Sequence, residues 1–287
     1  MLPASDPPMT TTTDIRTLSA AEMEELVAWA AAEGWNPGLA DAAAFRAADP
    51  EGFLGLFVDG EMVSGISAVA YGSDFGFIGL YICRPDMRGK GFGKAVWDAG
   101  MARLAGRTVG LDGVPAQVAN YRSMGFEPAY KTYRFNGRLG HPIGSSIDIQ
   151  PVTPDLFDAI ENFDCRFFPE TRPAFLREWL MAPRIALAAV EGDALRGYGV
   201  TRACHEGFKI GPLFAQDVKT AAALLAALAR ACGGGIHIDV PEVQEEFSRL
   251  LAQAGLARGF ETTRMYRGPA PGFDLAGVFG VTTLELG

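Results

Sequence analysis

The sequence predicts an α+β fold, in which helices flank a mixed and mostly antiparallel sheet, and it predicts that this fold occurs twice along the chain. In each half, strand-like apolar runs joined by tight turns are followed by a helix, a strand, a helix and a strand. Short strings recur in the same order in both halves. The length of 287 residues also exceeds that of a typical single domain. We therefore expect two tandem domains.

The first half is expected to form a domain over residues 14–136, after a disordered tail over residues 1–13. Ser19 is a favourable N-cap for the first helix, and Asp59-Gly60 is a favourable hairpin turn. The predicted elements are a strand at 14–18, helices at 20–32 and 39–48, strands at 53–58, 62–71 and up to about 83, a helix at 93–104, a strand at 108–111, a helix at 115–124 and a strand at 126–135.

The second half is expected to form a domain over residues 147–287. It follows a linker at 137–146 that is rich in Gly, Pro and Ser. The predicted elements are helices at 154–162 and 173–181, strands at 185–190, 195–204 and 208–214, a helix at 218–231, a strand at 236–240, a helix at 243–254 and a strand after 256.

Three echoes between the halves indicate that the fold was duplicated. Residues 125–135 lie over residues 255–265 without a gap and share Gly, Thr and Arg at matching positions. The other two echoes are Leu111-Asp112-Gly113-Val114-Pro115 with Ile238-Asp239-Val240-Pro241, and Ile78-Gly79-Leu80 with Ile210-Gly211-Pro212. All three occur in the same order with nearly constant spacing, as a repeat requires.

Composition narrows the class of protein. The apolar fraction of 48% can fill two cores, and no apolar run is long enough to span a bilayer. The formal charge of −9 disfavours a nucleic-acid surface and slightly favours a cationic small substrate. The four cysteines lie far apart, without paired histidines, and the N-terminus lacks the pattern of a signal peptide. We expect a cytoplasmic protein with reduced thiols, no metal and no nucleic-acid or membrane partner, and we make no prediction of its oligomeric state.

A glycine-rich segment, residues 88–94, lies between a predicted strand and a predicted helix. Glycines let backbone N–H groups approach an anion closely, and the helix N-terminus together with the basic side chains adds positive charge. The segment therefore predicts a site for a pyrophosphate. It is not a P-loop, because Arg88 stands where the first Gly belongs and Ala95 lacks the hydroxyl. A dinucleotide fingerprint also fails, at Lys94 or Val96.

What remains is Arg-x-x-Gly-x-Gly at Arg88, Gly91 and Gly93, which resembles the acetyl-coenzyme A loop of the GNAT acyltransferase superfamily. The order of elements resembles the GNAT fold in both halves, as in tandem members with a divergent second domain. The resemblance implies that the coenzyme pyrophosphate rests on the loop and that its pantetheine arm pairs with the preceding strand. The implied cofactor-binding residues are Tyr81, Ile82, Cys83, Arg88, Gly89, Lys90, Gly91, Phe92, Gly93 and Lys94.

The resemblance also implies a general acid. The family pattern Tyr-x-x-x-Gly-Phe is matched by Tyr121, Gly125 and Phe126, so Tyr121 is expected to protonate the departing thiolate. A core aromatic is the alternative role. Where the family often carries Asn, this chain has Val114, and the neighbouring Asn120 is taken as a coenzyme contact instead.

The base and the acceptor pocket are less defined. Asp74 stands at the start of the strand that leads into the loop and is the candidate general base, with a turn former as the alternative. Trp35 and Asn36 lie between the first two helices, where the resembling fold builds its acceptor pocket, so they are the candidate substrate-binding residues. Packing and turn formation are the alternatives for this pair.

The second half lacks the features of a coenzyme site. Residues 215–221 contain no glycine, and Leu251 takes the place of Tyr121. We expect one active site per chain, with the second domain closing the sheet edge of the first or walling its acceptor pocket.

The predicted function is an acetyl-coenzyme A-dependent N-acetyltransferase that moves an acetyl group directly to a primary amine of a small molecule. No cysteine is placed as an obvious nucleophile for a covalent route. Two alternatives stay open at this point. One is a non-catalytic acyl-coenzyme A sensor, and the other is acetylation of a protein amine.

Overall fold

The computed structural model of the chain describes residues 12–140 and 147–287. Most of the predicted tail and the centre of the predicted linker, residues 1–11 and 141–146, lie outside the described residues, and the first strand takes in Thr13. The elements of the first half are β1 (Thr13–Thr17), α1 (Ala20–Ala32), α2 (Asp41–Ala48), β2 (Phe53–Val58), β3 (Glu61–Tyr71), β4 (Phe75–Cys83), α3 (Phe92–Arg103), β5 (Thr108–Gly113), α4 (Val118–Ser123) and β6 (Glu127–Gly137).

The second half repeats this order and then adds a strand that was not predicted. Its elements are β7 (Asp148–Pro151), α5 (Phe157–Asp164), α6 (Pro173–Trp179), β8 (Ile185–Glu191), β9 (Ala194–Ala203), β10 (Phe208–Ala215), α7 (Val218–Cys232), β11 (Ile236–Pro241), α8 (Glu245–Gln253), β12 (Ala257–Arg267) and β13 (Val278–Gly280). No helix in either described range is long and apolar enough to cross a membrane.

Local sequence explains the helix ends that were predicted best. The Ser19 side chain accepts from the N–H of Glu22, whose carboxylate accepts in return from the N–H of Ser19, so α1 begins with a capping box. Asp217 caps α7 in the same way through the N–H of Thr220 at 2.7 Å. Gly233 ends α7 with a φ of 65°, which a residue without a Cβ adopts at little cost.

All of these strands belong to one sheet, and the two halves exchange their last long strands. The order along the sheet is β1-β2-β3-β4-β5-β12-β6-β11-β10-β9-β8-β7, with β13 paired to β10 off this path. Strand β12 of the second half therefore pairs with β5, and β6 of the first half pairs with β11. The predicted boundaries at 136 and 147 divide the chain, but they do not divide the sheet.

The exchanged strands carry side chains into the hydrophobic core of the opposite half. Phe135 of β6 is buried in a cluster that otherwise belongs to the second half, and Met265 of β12 is buried in a cluster that otherwise belongs to the first. A third cluster joins both halves directly, with Phe45 stacked on Trp179 at 6.2 Å between ring centroids. Each buried aromatic of this size contributes about 2–3 kcal/mol through burial of apolar surface. Apolar packing therefore holds the halves together as one unit.

Each half contains a pair of parallel strands that are hydrogen-bonded at one end and diverge at the other. Strands β4 and β5 pair only where 75–78 face 108–111, and beyond that point they diverge. Strands β10 and β11 pair only where 208–210 face 236–238. The first divergence leaves a gap in the sheet. The second is filled by β13, which runs antiparallel to β10 and sets Gly280 opposite Leu213 and Val278 opposite Phe214.

Candidate active site

A cavity of about 610 Å³ lies at the gap between β4 and β5. Its walls come from both halves of the chain. From the first half they include Trp35, Tyr81, Ile82, Cys83, Arg88, Asp112, Asn120 and Tyr121. The exchanged strands β6 and β12 contribute Arg134, Phe260 and Thr262 to the walls. The residues after β13 contribute Leu284 and Glu285. The volume lies in the range of ordinary small-ligand sites.

The edge of β4 that faces the cavity carries a bulge. Gly79 pairs with Ser67 and Ile82 pairs with Gly65, so Leu80 and Tyr81 together oppose a single residue of β3. Leu80 has a φ of 44°, a left-handed conformation that is strained for a leucine. A bulge leaves backbone groups out of the sheet ladder. The bulged edge can therefore pair with an extended, amide-rich ligand.

The glycine-rich loop forms an anion cradle at the start of α3. Gly89 and Gly91 have φ values of 77° and 88°, which favour glycine, and a Cβ on either would meet no atom within 4 Å. Gly91 is also the N-cap of α3, so the first free N–H groups of a twelve-residue helix point out beside it. Backbone N–H groups and open space of this kind fit a pyrophosphate.

The other loop residues support this cradle. A Cβ on Gly93 would come within 2.9 Å of the Tyr81 hydroxyl, so glycine there lets the first turn of α3 pack on the end of β4. Phe92 is half-buried and packs on the core of the first half. The exposed Lys94 side chain lies 2.5 Å from Asp98, and the Lys90 ammonium contacts the Met87 sulfur at 3.4 Å.

Arg88 ties the loop to the body of the domain. Its Nε donates to the carbonyl oxygen of Cys83 at 2.9 Å, and its guanidinium is ion-paired with Glu33 at the end of α1. Burial raises the pKa of the Cys83 thiol, which disfavours the thiolate. Cys83 therefore holds Arg88 through its backbone, and its role towards a coenzyme stays a prediction.

Tyr121 of α4 lies on the cavity wall, and its role as the general acid stays a prediction. Its ring stacks on Trp97 with 5.7 Å between centroids, and Gly113 passes so close to the ring that a Cβ would lie 3.0 Å away. The hydroxyl makes no hydrogen bond with the described residues. Burial raises the pKa of Tyr121 to about 12, so the phenol keeps its proton at neutral pH. Asn120 lines the same wall and donates to the Gln117 side chain at 3.2 Å.

Two of the three remaining candidates are not brought to the cavity. Asp74 is exposed in the turn before β4, and the first residue of this strand that lines the cavity, Ile78, comes four residues later, which is roughly 13 Å along an extended strand. This distance removes the support for Asp74 as the base. Asn36 is also not part of the wall, because its side chain exchanges two hydrogen bonds with the backbone of Glu206, at 2.9 and 3.0 Å. Trp35 does line the cavity.

Sequence reasoning missed two buried ion pairs beside the cavity. Asp112 of β5 binds Arg264 of β12 through two hydrogen bonds of 2.9 and 2.8 Å, and Asp239 of β11 binds Arg134 of β6 at 2.8 and 2.9 Å. All four residues belong to the sequence echoes, so the repeat contained the signal. Because the strands are exchanged, each pair joins one half to the other.

The two carboxylates of these pairs differ in their titration. Burial raises the pKa of Asp112 despite its partner Arg264, since Asp239 and Glu285 add negative charge nearby. Burial also opposes the ionisation of Asp239, but Arg134 and the neighbouring Lys209 and Arg202 lower its pKa. The second pair is therefore held in a more positive environment than the first.

Both halves of the sequence match descriptions of one known protein family. Residues 17–126 match the description "Acetyltransferase (GNAT) family", and residues 160–280 match "Acetyltransferase (GNAT) domain". A protein of Pseudoalteromonas sp. (strain SANK 73390), named holothin acyltransferase, is 33% identical over 262 residues, which cover 90% of this chain and 89% of that protein.

Solved structures agree with the match. A putative acetyltransferase from Pyrococcus horikoshii superposes with a TM-score of 0.81 at 20% identity and covers 99% of each chain. A tandem GNAT protein from the clavulanic acid biosynthesis pathway superposes with a TM-score of 0.63 at 14% identity, over 90% of this chain and 100% of that one. The predicted fold, with two GNAT domains in tandem, is confirmed.

Proposed function

Since the chain belongs to the GNAT acetyltransferase family, we propose that it transfers an acetyl group from acetyl-coenzyme A to a primary amine of a small molecule. It is an N-acyltransferase of the GNAT type, and the acetyl donor and the amine acceptor are the proposed part. One observation carries the proposal. The gap between β4 and β5 brings the bulged strand edge, Arg88 of the glycine-rich loop and Tyr121 to a single cavity.

The residues present fit the coenzyme. The N–H groups around Gly89 and Gly91 would hold its pyrophosphate, and the backbone at Tyr81, Ile82 and Cys83 would pair with its pantetheine arm. Bound acyl-coenzyme A supplies the thioester that is broken in the reaction. The acetyl group is chosen because both matching family descriptions name acetyltransferases.

The chemistry follows from the groups around the cavity. The amine nitrogen attacks the thioester carbonyl directly, because the Cys83 thiol is kept protonated by burial and is a poor nucleophile. The new N–C bond forms as the C–S bond breaks, and the nitrogen gives up one proton, which ends in solvent. Tyr121 then gives its proton to the departing sulfur. Its raised pKa keeps that proton available over the neutral range.

The wall formed by the second half supports a small acceptor. Phe260, Thr262 and Leu284 add to the walls of the cavity. A cavity of about 610 Å³ with walls from both halves suits a small molecule better than an extended protein segment. All four cysteines are free thiols, which fits a reducing compartment, and we propose the cytoplasm as that compartment.

The test combines coenzyme binding with turnover. Calorimetry should show binding of acetyl-coenzyme A, and free coenzyme A should be released when primary amines are added. Binding without release for any amine or lysine peptide would favour a sensor. Release with lysine peptides alone would favour a protein acceptor. Either result would overturn the proposal.

A further inference from the structure

The C-terminal segment, residues 281–287, runs from the second half into the active site of the first. It follows β13, which is fixed beside β10. The Ser67 hydroxyl donates to the carbonyl oxygen of Glu285 at 3.2 Å, and the Tyr71 hydroxyl donates to that of Leu286 at 3.1 Å. Gly79 is packed so closely that a Cβ would clash with the Glu285 backbone. The segment is therefore held against β3 and β4 at the cavity.

Glu285 is the unpaired carboxylate of this cavity. Three carboxylates line it, and two have partners, since Glu33 pairs with Arg88 and Asp112 pairs with Arg264. Glu285 is only 4% exposed, and its Oε2 makes no hydrogen bond within the part of the chain that the structure describes. A buried acceptor without a donor costs free energy unless a ligand or water supplies one.

The cations near Glu285 are engaged elsewhere. The guanidinium of Arg134 is bound by Asp239, and that of Arg202 is bound by Asp41 at 3.1 Å. The Lys209 ammonium donates to the Trp35 carbonyl oxygen at 3.0 Å. Glu285 therefore has positive charge around it but no direct partner among the described residues.

A second buried polar group of this cavity also lacks a hydrogen-bond partner among the described residues. Thr262 of β12 is 2% exposed, lines the same cavity, and its hydroxyl has no hydrogen-bond partner in the described residues. The lining around these two groups includes the apolar side chains of Trp35, Phe260 and Leu284, together with Arg134, whose charge is bound by Asp239. One acidic group and one hydroxyl set among aromatic and aliphatic side chains match an amine carried on a flat, apolar body.

We propose that Glu285 binds the acceptor amine and takes its proton during transfer, and that the acceptor is an aromatic monoamine without a carboxylate. The inference rests on the proposed function. An ammonium ion loses one proton to solvent before its nitrogen can attack. The amine passes a second proton to the Glu285 carboxylate as the N–C bond forms, while Tyr121 protonates the sulfur as the C–S bond breaks. Solvent then takes the proton from Glu285 and returns one to Tyr121, which completes the cycle.

The test compares the wild-type chain, Glu285→Gln and Glu246→Gln, a control on the exposed face of α8. Acetyl-coenzyme A is the donor, and tryptamine and 2-phenylethylamine are the acceptors. Glu285→Gln should lower kcat/KM by about 10²-fold, as expected for loss of a proton acceptor. Its affinity for acetyl-coenzyme A should stay unchanged. Glu285→Asp should recover part of the rate, because it restores a carboxylate.

The wild-type chain supplies a readout that needs no variant. Tryptamine should be a better acceptor than tryptophan, because the amino acid carries a carboxylate towards Glu285. Equal turnover of the two would overturn the inference, as would a Glu285→Gln chain with wild-type kcat/KM. Both results would leave the proposed function standing. A wild-type chain that binds acetyl-coenzyme A but acetylates no amine would overturn the proposed function and this inference together.

Discussion

The two halves of the molecule contain the same gap and use it differently. In the first half, the gap between β4 and β5 is open and ends at a glycine-rich loop. In the second half, the equivalent gap between β10 and β11 is occupied by β13 of the same chain. Through the echo of 78–80 with 210–212, the β10 positions paired with β13 correspond to Tyr81 and Ile82. The chain therefore places its own strand where the first half is proposed to receive the pantetheine arm.

The fold supplies a gap in both halves, but a coenzyme site needs further residues at that gap. Divergence of two parallel strands makes the gap in both halves. Only the first half adds backbone N–H groups at a glycine-rich helix start and a tyrosine on the wall. The second half, which has Leu251 in place of that tyrosine, uses its gap to seat β13, and the segment that carries Glu285 follows this strand.

Removing the occupant of the second gap should have the largest effect. Phe279 of β13 is 2% exposed and packs against Phe247 at 5.2 Å between centroids. Phe279→Ala should lower the free energy of unfolding by about 3–5 kcal/mol, because it leaves a cavity. Denaturant unfolding measures this, with the exposed Phe260→Ala as a control of smaller cost. A stable Phe279→Ala chain would show that β13 is dispensable for the second half.

The exchanged ion pairs offer a comparison between equivalent residues. Asp239→Asn leaves Arg134 buried without its partner and should cost about 3–5 kcal/mol at pH 7. Asp112→Asn also leaves Arg264 buried without its partner, but it removes a carboxylate whose charged form burial disfavours in the folded chain, as its raised pKa indicates, so it should cost less.

The pH dependence follows from the direction of each pKa shift. The lowered pKa of Asp239 contributes stability above the unfolded value of about 3.9 and loses it as the pH falls through the folded value. The raised pKa of Asp112 acts in the opposite sense. Its contribution to stability is present below the unfolded pKa of about 3.9 and is lost as the pH rises through the folded pKa. The cost of Asp239→Asn should therefore persist from pH 7 to about pH 4 and shrink below it. Denaturant unfolding of both variants at pH 7, at pH 4 and below pH 4 measures these changes in the free energy of unfolding. Equal losses for Asp239→Asn and Asp112→Asn at pH 7 would contradict the proposed difference between the two ion pairs.

Coenzyme binding should depend on the loop of the first half alone. Gly91→Glu adds a side chain where φ is 88° and a negative charge where a pyrophosphate is proposed to rest. Backbone strain of about 1–2 kcal/mol and the lost anion contacts together should weaken binding of acetyl-coenzyme A about 10³-fold. The matched change in the second half, Lys219→Glu at the start of α7, should leave affinity unchanged. Calorimetry measures both, and unchanged binding by Gly91→Glu would mean that the loop is wrongly assigned.

Removal of the proposed acid should have the smallest effect of the four. Tyr121→Phe should lower kcat about 10²-fold and leave coenzyme affinity intact. Tyr133→Phe, at a tyrosine outside the cavity wall, is the control. In the wild-type chain, ionisation of Tyr121 should not reduce the rate below about pH 11, because its pKa is about 12. A Tyr121→Phe chain with the wild-type rate would remove Tyr121 from the mechanism.

Much of the fold was readable before the structure. Strand β2 has the predicted bounds, 53–58, because its flanking turn residues are explicit, and α1 begins at 20 because Ser19 and Glu22 form its cap. The glycine-rich start of α3 and the place of Tyr121 in α4 could be predicted because glycine patterns and aromatic spacing are local, and their roles in binding and catalysis stay predictions. Asp74 was misplaced as a candidate base, since its position along β4 relative to the cavity is not a local property.

The sequence by itself determined the elements, the repeat and the loop, because caps, turns, periodicity and glycine positions act over a few residues. Only the tertiary structure decided the exchange of β6 and β12, the pairing of Asp112 with Arg264, and the arrival of Glu285 in the cavity that Tyr121 also lines. The physical reason is that both halves carry nearly the same strand pattern, so hydrogen-bonding preference alone fits either partner. Packing of Phe135 and Met265 in the opposite cores distinguishes them.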